Sequence, residues 1–169
     1  MKATILSVAP PSGEYEEIAL TKDGSGVWVK FEDEDGAEFC VVFGGGTNDA
    51  TKVEMLGARA FILAHGKGYV FDAEAKQLIL ETGAKHYKDC ISNRETGQFI
   101  ACTVTEIDVF ADRLLWSSPR VALDGIALLA AENSIISGEV YTVSGWRPFS
   151  LDLKKHHYRC DYDWQGSKV

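Results

Sequence analysis

The sequence has few cysteines, no long apolar run and a shortage of positive charge. Its four cysteines, Cys40, Cys90, Cys102 and Cys160, form no CxxC pair, which argues against a disulfide framework, and we expect reduced thiols. No apolar stretch approaches the roughly 18 residues that span a bilayer. We therefore expect neither a disulfide scaffold nor a transmembrane segment.

Acidic residues outnumber basic ones, 25 to 17, which gives a net charge of −8. Residues 1–55 contain eleven acids and four bases, so most of the negative charge lies in the first third of the chain. Nucleic acids are bound through clustered lysine and arginine, which neutralise phosphates. The sequence therefore disfavours a nucleic-acid partner, and it gives no indication of a membrane partner.

The first nine residues contain one lysine and an apolar run of about seven residues before Pro10 and Pro11. This run is short for the core of a signal peptide, and no clear small-x-small cleavage site follows it. We expect a first β-strand here and a cytoplasmic location.

A chain of 169 residues with 46% hydrophobic and 25% charged residues has an ordinary globular composition. Such a chain can bury roughly 70% of the surface that its unfolded form exposes. We predict one β-rich domain that covers residues 1–169.

Alternating apolar residues predict β-strands throughout the chain. Tyr15–Leu20, Val27–Glu32 and Glu38–Phe43 alternate, and the turns Asp23–Gly26 and Asp35-Gly36 would join them into an antiparallel meander. Residues 61–64 form a continuous apolar run, which is typical of a strand buried on both faces, and strands at 69–71 and 78–80 follow at hairpin spacing.

Three segments are less regular. Residues 48–56 fit either a short helix or an edge strand. Residues 106–114 fit either a helix, because Thr105-x-x-Asp108 resembles a capping box, or two short strands. Residues 83–97 lose periodicity and indicate an irregular crossing between two halves.

The chain is predicted to be mainly β, an antiparallel meander that forms a curled sandwich or a propeller-like sheet, with one or two short helices as the open alternative. The segments that begin at Phe61 and Phe99 both start Phe-Ile and lie 38 residues apart, near the length of a propeller blade.

The segment from Arg113 to Leu153 contains the stretches LLWSSPRVALDG and GWRPFSLDL. It resembles small bacterial β-rich proteins, similar to propeller blades, that have no assigned activity. The resemblance covers about a quarter of the chain; it implies a β fold and supplies no reaction.

Three patterns are considered as evidence for a metal site, an anion site or a catalytic site, and none of them predicts one. His156, His157 and Cys160 are zinc-ligand types, but on a strand His156 and Cys160 would lie about 13 Å apart, so no metal site is predicted. The Gly44–Gly46 loop fits a close approach of two backbones better than an anion site. No nucleotide-binding or catalytic motif occurs, so we predict no catalytic residues and no cofactor.

Two residue sets remain as candidate binding sites. Glu32, Asp33, Glu34 and Asp35 lie at a predicted hairpin tip inside the acidic third, where a negative field would attract a basic partner. The second set consists of Trp116, Arg120, Asp124, Trp146 and Arg147. Tryptophan and arginine are common in binding hot spots, and Asp124 belongs to the same predicted cleft.

The leading hypothesis is a non-catalytic binding protein whose acidic face engages a basic protein partner, by analogy with immunity or inhibitor proteins. The alternative is a small enzyme or ligand-binding protein with a cleft near Trp116, Asp124, Trp146 and Arg147. A third reading is an assembly role, because exposed sheet edges invite self-association.

Overall fold

The computed structural model describes residues 1–21 and 25–168, which form sixteen β-strands and no helix. The strands make four sheets of four strands each. The chain divides into two compact units, Met1–His86 with sheets 1 and 2 and Tyr87–Val169 with sheets 3 and 4. The mainly β prediction is confirmed, whereas one domain over residues 1–169 stays a prediction.

The first unit contains eight strands. Sheet 1 consists of β1 (Lys2–Leu6), β2 (Glu16–Ala19), β3 (Val27–Glu32) and β4 (Glu38–Phe43). Sheet 2 consists of β5 (Lys52–Leu56), β6 (Arg59–Ala64), β7 (Lys67–Asp72) and β8 (Gln77–Glu81). Strands β1 and β5, the first of each sheet, lie beside each other.

The second unit also contains eight strands. Sheet 3 consists of β9 (Asp89–Asn93), β10 (Gln98–Cys102), β11 (Ile107–Phe110) and β12 (Leu114–Ser117). Sheet 4 consists of β13 (Ile126–Glu132), β14 (Ile135–Thr142), β15 (Gly145–Asp152) and β16 (His157–Cys160). In both sheets the strands follow chain order and pair antiparallel.

Sheet 1 departs from that plan, because its order is β1-β3-β4-β2 and β2 pairs parallel with β4. The predicted hairpin between Tyr15–Leu20 and Val27–Glu32 is therefore wrong: β1 occupies the edge of β3 that β2 was expected to take. Asp23 and Gly24 of the first predicted turn lie outside the described residues. The second turn is confirmed, with β3 and β4 paired antiparallel and Gly36 at φ 81°.

Each unit has its own apolar core between its two sheets. In the first unit, Phe31 and Phe43 of sheet 1 lie against Phe71 of sheet 2, with ring centroids 5.4 Å and 5.6 Å from it. In the second unit, residues of sheets 3 and 4 form one buried cluster, whose fully buried members include Ile100, Val109, Ile136, Val140 and Leu151. These cores hold the sheets that carry the sites described below.

Sheet 2 and sheet 3 each have the same feature at one edge: the residue after the last strand forms two hydrogen bonds with the strand beside it. Thr82 Oγ1 accepts from the Gly68 N–H at 3.0 Å, and Ser118 Oγ accepts from the Ile107 N–H at 2.9 Å. In return, the N–H groups of Thr82 and Ser118 donate to the carbonyl oxygens of Gly68 and Ile107. The two similar Phe-Ile segments also lie at matching places, in the second strands β6 and β10.

The helices considered near 48–56 and 106–114 do not form in the described part of the chain. Residues 52–56 are β5, whose Val53 and Met55 pack against the first core. In the second segment all four residues of β11 are buried, so both faces of a strand are covered and a helical stripe has no place. The hydroxyl that accepts the turn N–H groups is that of Thr103, not of Thr105.

The predicted irregular segment over residues 83–97 is confirmed for 83–88, which form no strand, and for the turn at 94–97, but it is wrong for 89–93, which form β9. Strand β9 was hard to recognise because Asp89, Ser92 and Asn93 interrupt its apolar pattern. The two units meet in sequence between His86 and Tyr87, inside this segment. Residues 1–21 and 25–168 contain no helix with the length and apolar character needed to cross a bilayer.

Candidate functional site

The predicted acidic tip is the hairpin between β3 and β4. Asp33 shapes it, because its Oδ1 accepts hydrogen bonds from the N–H groups of Asp35 and Ala37, both at 2.9 Å. Glu34 and Asp35 are exposed at the end of the turn. One predicted carboxylate therefore maintains the hairpin, and the next two point their charge into solvent.

The tip forms one wall of a groove of about 580 Å³ in the first unit, here called the acidic groove. Six carboxylate side chains line it: Glu16, Asp33, Glu34, Asp35, Glu38 and Glu74. Glu32, the remaining member of the predicted set, is half-buried at the end of β3 and does not line the groove. The structure thus gathers three of the four predicted acids and adds three others.

Lys76 is the one lysine or arginine among the described residues that line the acidic groove. Its ammonium group pairs with the Glu16 carboxylate and lies 4.7 Å from the centroid of the Phe39 ring. The backbone fixes this position: Asp72 Oδ1 accepts from the N–H groups of Glu74 and Ala75, and Lys76 follows with φ 52°. The groove therefore already accommodates an ammonium group between a carboxylate and an aromatic face.

Several groove carboxylates are already engaged. Glu38 pairs with Lys30 at 2.7 Å, which raises the pKa of the Lys30 ammonium through that hydrogen bond. In the part of the chain that the structure describes, Glu34, Asp35 and Glu74 form no ion pair. These three exposed side chains give the groove its uncompensated charge.

Three of the six groove carboxylates, Glu16, Glu38 and Glu74, were not predicted from the sequence. Glu16 reaches the groove because β2 pairs parallel with β4, in the register Glu16 opposite Phe39. Glu74 reaches it on the turn between β7 and β8, in the neighbouring sheet. Neither placement has a local sequence signal; the mixed acidic and apolar pattern of Tyr15–Leu20 shows only that β2 is an exposed strand.

The members of the second predicted set have different immediate partners, although Trp146 lies against Gly125, next to Asp124 in the chain. Trp116 stacks on His156 with centroids 5.8 Å apart, and Trp146 packs edge-to-face on Tyr141 at 5.5 Å. Asp124 is exposed in the turn before β13. That a cleft near these residues binds a ligand remains a prediction.

Arg120 and Arg147 each cover an aromatic ring. The Arg120 guanidinium lies 4.5 Å from the Trp164 ring centroid, and that of Arg147 lies 4.6 Å from the Tyr162 ring centroid. Arg120 also lines a second groove of about 820 Å³ in the second unit, which we call the arginine groove. Residues 119–121, 148–150 and 157–164 line this groove.

The histidine and cysteine candidates lie on and beside β16. His156 precedes the strand with φ 49°, His157 is exposed, and Cys160 is half-buried at the strand end. His156 therefore lies in the turn between β15 and β16, so the spacing along one strand that was assumed from the sequence does not apply to it. Within the described residues, no three His, Cys, Asp or Glu side chains are arranged to hold one metal ion.

The three consecutive glycines lie where backbones approach closely. A Cβ on Gly46 would lie 2.4 Å from the carbonyl oxygen of His65, and the Gly46 N–H donates to the Ala64 carbonyl at 2.9 Å. Gly44 uses its carbonyl to accept from the Tyr69 hydroxyl at 2.8 Å. These contacts account for the small residues as strand-exit positions.

No protein-family model and no curated protein sequence matches the chain. Among solved structures, it is similar to U3-55K over 98% of its own length and 56% of that chain, with a TM-score of 0.55 and 12% identity. It is also similar to BamB from Moraxella catarrhalis over 88% of its length and 52% of that chain (TM-score 0.56, 11% identity).

A third similar structure is the Swd1 β-propeller domain of Myceliophteria thermophila, matched over 86% of this chain and 55% of that one, with a TM-score of 0.51 and 8% identity. The chain thus spans about half the length of these structures. Identities this low establish the fold alone. The four sheets are similar to β-propeller blades, which confirms the propeller-like reading of the sequence.

Proposed function

We propose that the chain is a non-catalytic binding protein that engages a basic protein partner through the acidic groove. The observation that carries the proposal is that six acidic residues and Phe39 line one groove. The proposed role is immunity-like or inhibitor-like: the groove would cover a basic surface of its partner.

The negative charge of the groove supports a positively charged partner. Glu34, Asp35 and Glu74 are exposed, and the chain as a whole carries a net charge of −8. Clustered charge of one sign raises the rate of encounter with an oppositely charged partner and repels partners of like charge. The groove therefore favours a surface rich in lysine or arginine.

Lys76 indicates which chemical group would enter. A partner's ammonium or guanidinium could take the place of the Lys76 ammonium beside Glu16 and over the Phe39 ring, since arginine and lysine both stack on aromatic faces. The side chains of Lys76 and Glu16 are 39% and 60% exposed. An exposed ion pair of this kind contributes about 0–1 kcal/mol, so exchanging it costs little.

The size of the groove supports a protein rather than a single ion. Its volume of about 580 Å³ far exceeds that of one cation, and its carboxylates belong to four separate segments: β2, the β3–β4 hairpin, the start of β4 and the β7–β8 turn. Spread carboxylates suit several basic side chains on one surface.

The experiment is affinity capture of the tagged protein's partners from its own cells at low salt, with repetition at higher salt. The variant E34K/D35K reverses two exposed charges of the groove, and the control D124K/E132K makes the same charge change at exposed sites of the second unit. The proposal expects a basic protein that wild type and control retain and that E34K/D35K and higher salt release. A partner retained equally by all three proteins at both salt concentrations would contradict it.

A further inference from the structure

Lys76 reaches across the acidic groove from one sheet of the first unit to the other. It lies at the end of the turn between β7 and β8 of sheet 2, and its ammonium group pairs with Glu16 of β2 in sheet 1. The same ammonium lies 4.7 Å from the centroid of the Phe39 ring, and Glu16 and Phe39 are opposite each other in the pairing of β2 with β4. One carboxylate and one aromatic ring thus form a subsite for a cation, and a residue of the chain itself occupies it.

The Phe39 ring is covered in this arrangement. Phe39 is only 4% exposed, although it lines the groove. The ring stacks on Phe31 with centroids 5.2 Å apart, and the Lys76 ammonium lies over it as well. A cation from another molecule would therefore meet the Lys76 side chain at the ring and would have to displace it.

The second unit contains the same turn with a different residue at the corresponding position. In both turns the aspartate that ends the third strand of the sheet, Asp72 or Asp152, accepts hydrogen bonds through Oδ1 from the N–H groups two and three residues later. The fourth residue after it, Lys76 or His156, has a φ of 52° or 49°. His156 stacks on Trp116 of sheet 3, with centroids 5.8 Å apart. The turn and its ring contact therefore do not require a lysine, so they do not by themselves explain the cation in the acidic groove.

We propose that Lys76 is an autoinhibitory occupant of the acidic groove. In the free chain it fills the cation subsite of Glu16 and Phe39, and a lysine or arginine of the partner takes its place on binding. The inference rests on the function proposed above, because it concerns the same groove. It adds a residue that sets the affinity of the groove and the kind of basic segment that the groove accepts.

Displacement of Lys76 makes the groove selective for segments with several basic residues. A single cation that replaces the Lys76 ammonium finds only the carboxylate and ring that Lys76 already had, so the exchange gains little. A segment whose further lysine or arginine side chains approach the exposed Glu34, Asp35 and Glu74 gains attractions that Lys76 does not provide. Removing the Lys76 side chain should strengthen binding of such a segment, because an ion pair and a cation–π contact no longer compete with it.

The test measures the affinity of the full chain for a capped peptide of alternating lysine and alanine by calorimetry. Lys76→Ala removes the occupant, and Lys76→Gly does so with a residue that suits a positive φ. We expect both variants to bind the peptide about fivefold more tightly than the wild type does. Lys76→Arg retains a cation at the subsite and should bind as the wild type does.

Lys67→Ala is the matched control, because Lys67 makes the same two kinds of contact elsewhere in the first unit. Its ammonium pairs with the Glu81 carboxylate and lies 5.5 Å from the Tyr69 ring centroid. Lys67 does not line the acidic groove. The control makes the same change in net charge, and we expect it to alter the Kd less than about twofold because the distant charge is screened.

A second pair of variants locates the gain at the subsite. Glu16→Gln combined with Lys76→Ala removes the carboxylate that would receive the partner's cation, so we expect the affinity to return to that of the wild type or below it. Glu17→Gln combined with Lys76→Ala makes the same charge change at the next residue of β2, whose side chain points to the other face of the sheet. This combination should keep most of the gain.

The outcomes separate this inference from the function proposed above. Tighter binding by Lys76→Ala and Lys76→Gly than by Lys67→Ala supports the autoinhibitory contact, as does binding by them where the wild type binds too weakly to detect. If the wild type binds and the two Lys76 variants bind no more tightly than Lys67→Ala, the autoinhibitory contact is overturned and the proposed function stands. A gain that survives Glu16→Gln in full overturns it in the same way. No binding by any of these proteins overturns both proposals.

Discussion

The hydroxyl of Tyr87 donates a hydrogen bond to Oδ2 of Asp108 at 2.7 Å in the interior of the second unit. Only 2% of Tyr87 and 1% of Asp108 is exposed. Burial, reinforced by the hydrogen bond to Asp108, raises the pKa of the Tyr87 phenol well above its usual range. The pair ties the residue that opens the second unit to the third strand of sheet 3.

Replacing Tyr87 by phenylalanine should lower the free energy of unfolding by about 1–3 kcal/mol, because a buried polar partner of Asp108 is lost. Urea denaturation measures the change. The control is Tyr141→Phe, since Tyr141 is 39% exposed. Equal losses in the two variants would show that the buried hydrogen bond contributes nothing specific.

The same tyrosine predicts how stability varies at alkaline pH. In the unfolded chain its phenol ionises near pH 10, whereas the folded chain holds the proton because its pKa is raised. The unfolded state then binds fewer protons, so the free energy of unfolding is fully maintained below about pH 10 and falls as the pH rises further. Burial also raises the pKa of the Tyr158 phenol, which adds to the decline.

Unfolding measured between pH 9 and pH 11 tests this dependence. Tyr87→Phe should show a shallower decline than the wild type. A decline with the same slope in both proteins would assign it to other groups.

Local patterning was enough to predict most strands. The alternation in Val27–Glu32 and the apolar run at 61–64 correspond to β3 and β6, and every residue from Phe61 to Ala64 is fully buried. The parallel pairing of β2 with β4 was not predictable, because strand order in a sheet depends on contacts distant in sequence. The capping-box reading of Thr105 failed because burial of both faces of β11 outweighs a local helix signal.

The candidate site was predictable in part. A run of acids at a hairpin tip identified Asp33, Glu34 and Asp35, since turn residues lie at the surface. Glu16 and Glu74 belong to other segments and reach the groove only through tertiary packing. Residue type alone also joined Trp116 and Trp146, which the structure places against different partners, His156 and Tyr141.

The strand-exit role of Gly46 can be tested by Gly46→Ala. The added Cβ would lie 2.4 Å from a backbone oxygen, so the neighbouring loop must move, and we expect a loss of about 1–3 kcal/mol in the free energy of unfolding. Gly83→Ala is the matched control in the same unit, because a Cβ there meets no atom within 4 Å. An equally stable Gly46→Ala variant would mean that the close approach is easily relieved.

The cysteines predict a pattern of thiol reactivity. No disulfide joins them, and Cys40, Cys90 and Cys102 are buried whereas Cys160 is partly exposed. Burial also raises the pKa of the Cys40 thiol, which lowers its thiolate fraction. In the native protein, Ellman's reagent should therefore react first with Cys160, and all four thiols should react in denaturant. Fewer than four reactive thiols after denaturation without reductant would indicate a disulfide.

The central claim is that the acidic groove binds basic protein segments, and titration with a capped peptide of alternating lysine and alanine tests it most directly. The account predicts saturable binding whose Kd rises with salt concentration. It also predicts that E34K/D35K raises the Kd at least tenfold, about 1.4 kcal/mol, while D124K/E132K leaves it nearly unchanged. Equal Kd values for the two variants would contradict the claim, because the peptide would then be responding to net charge and not to the groove.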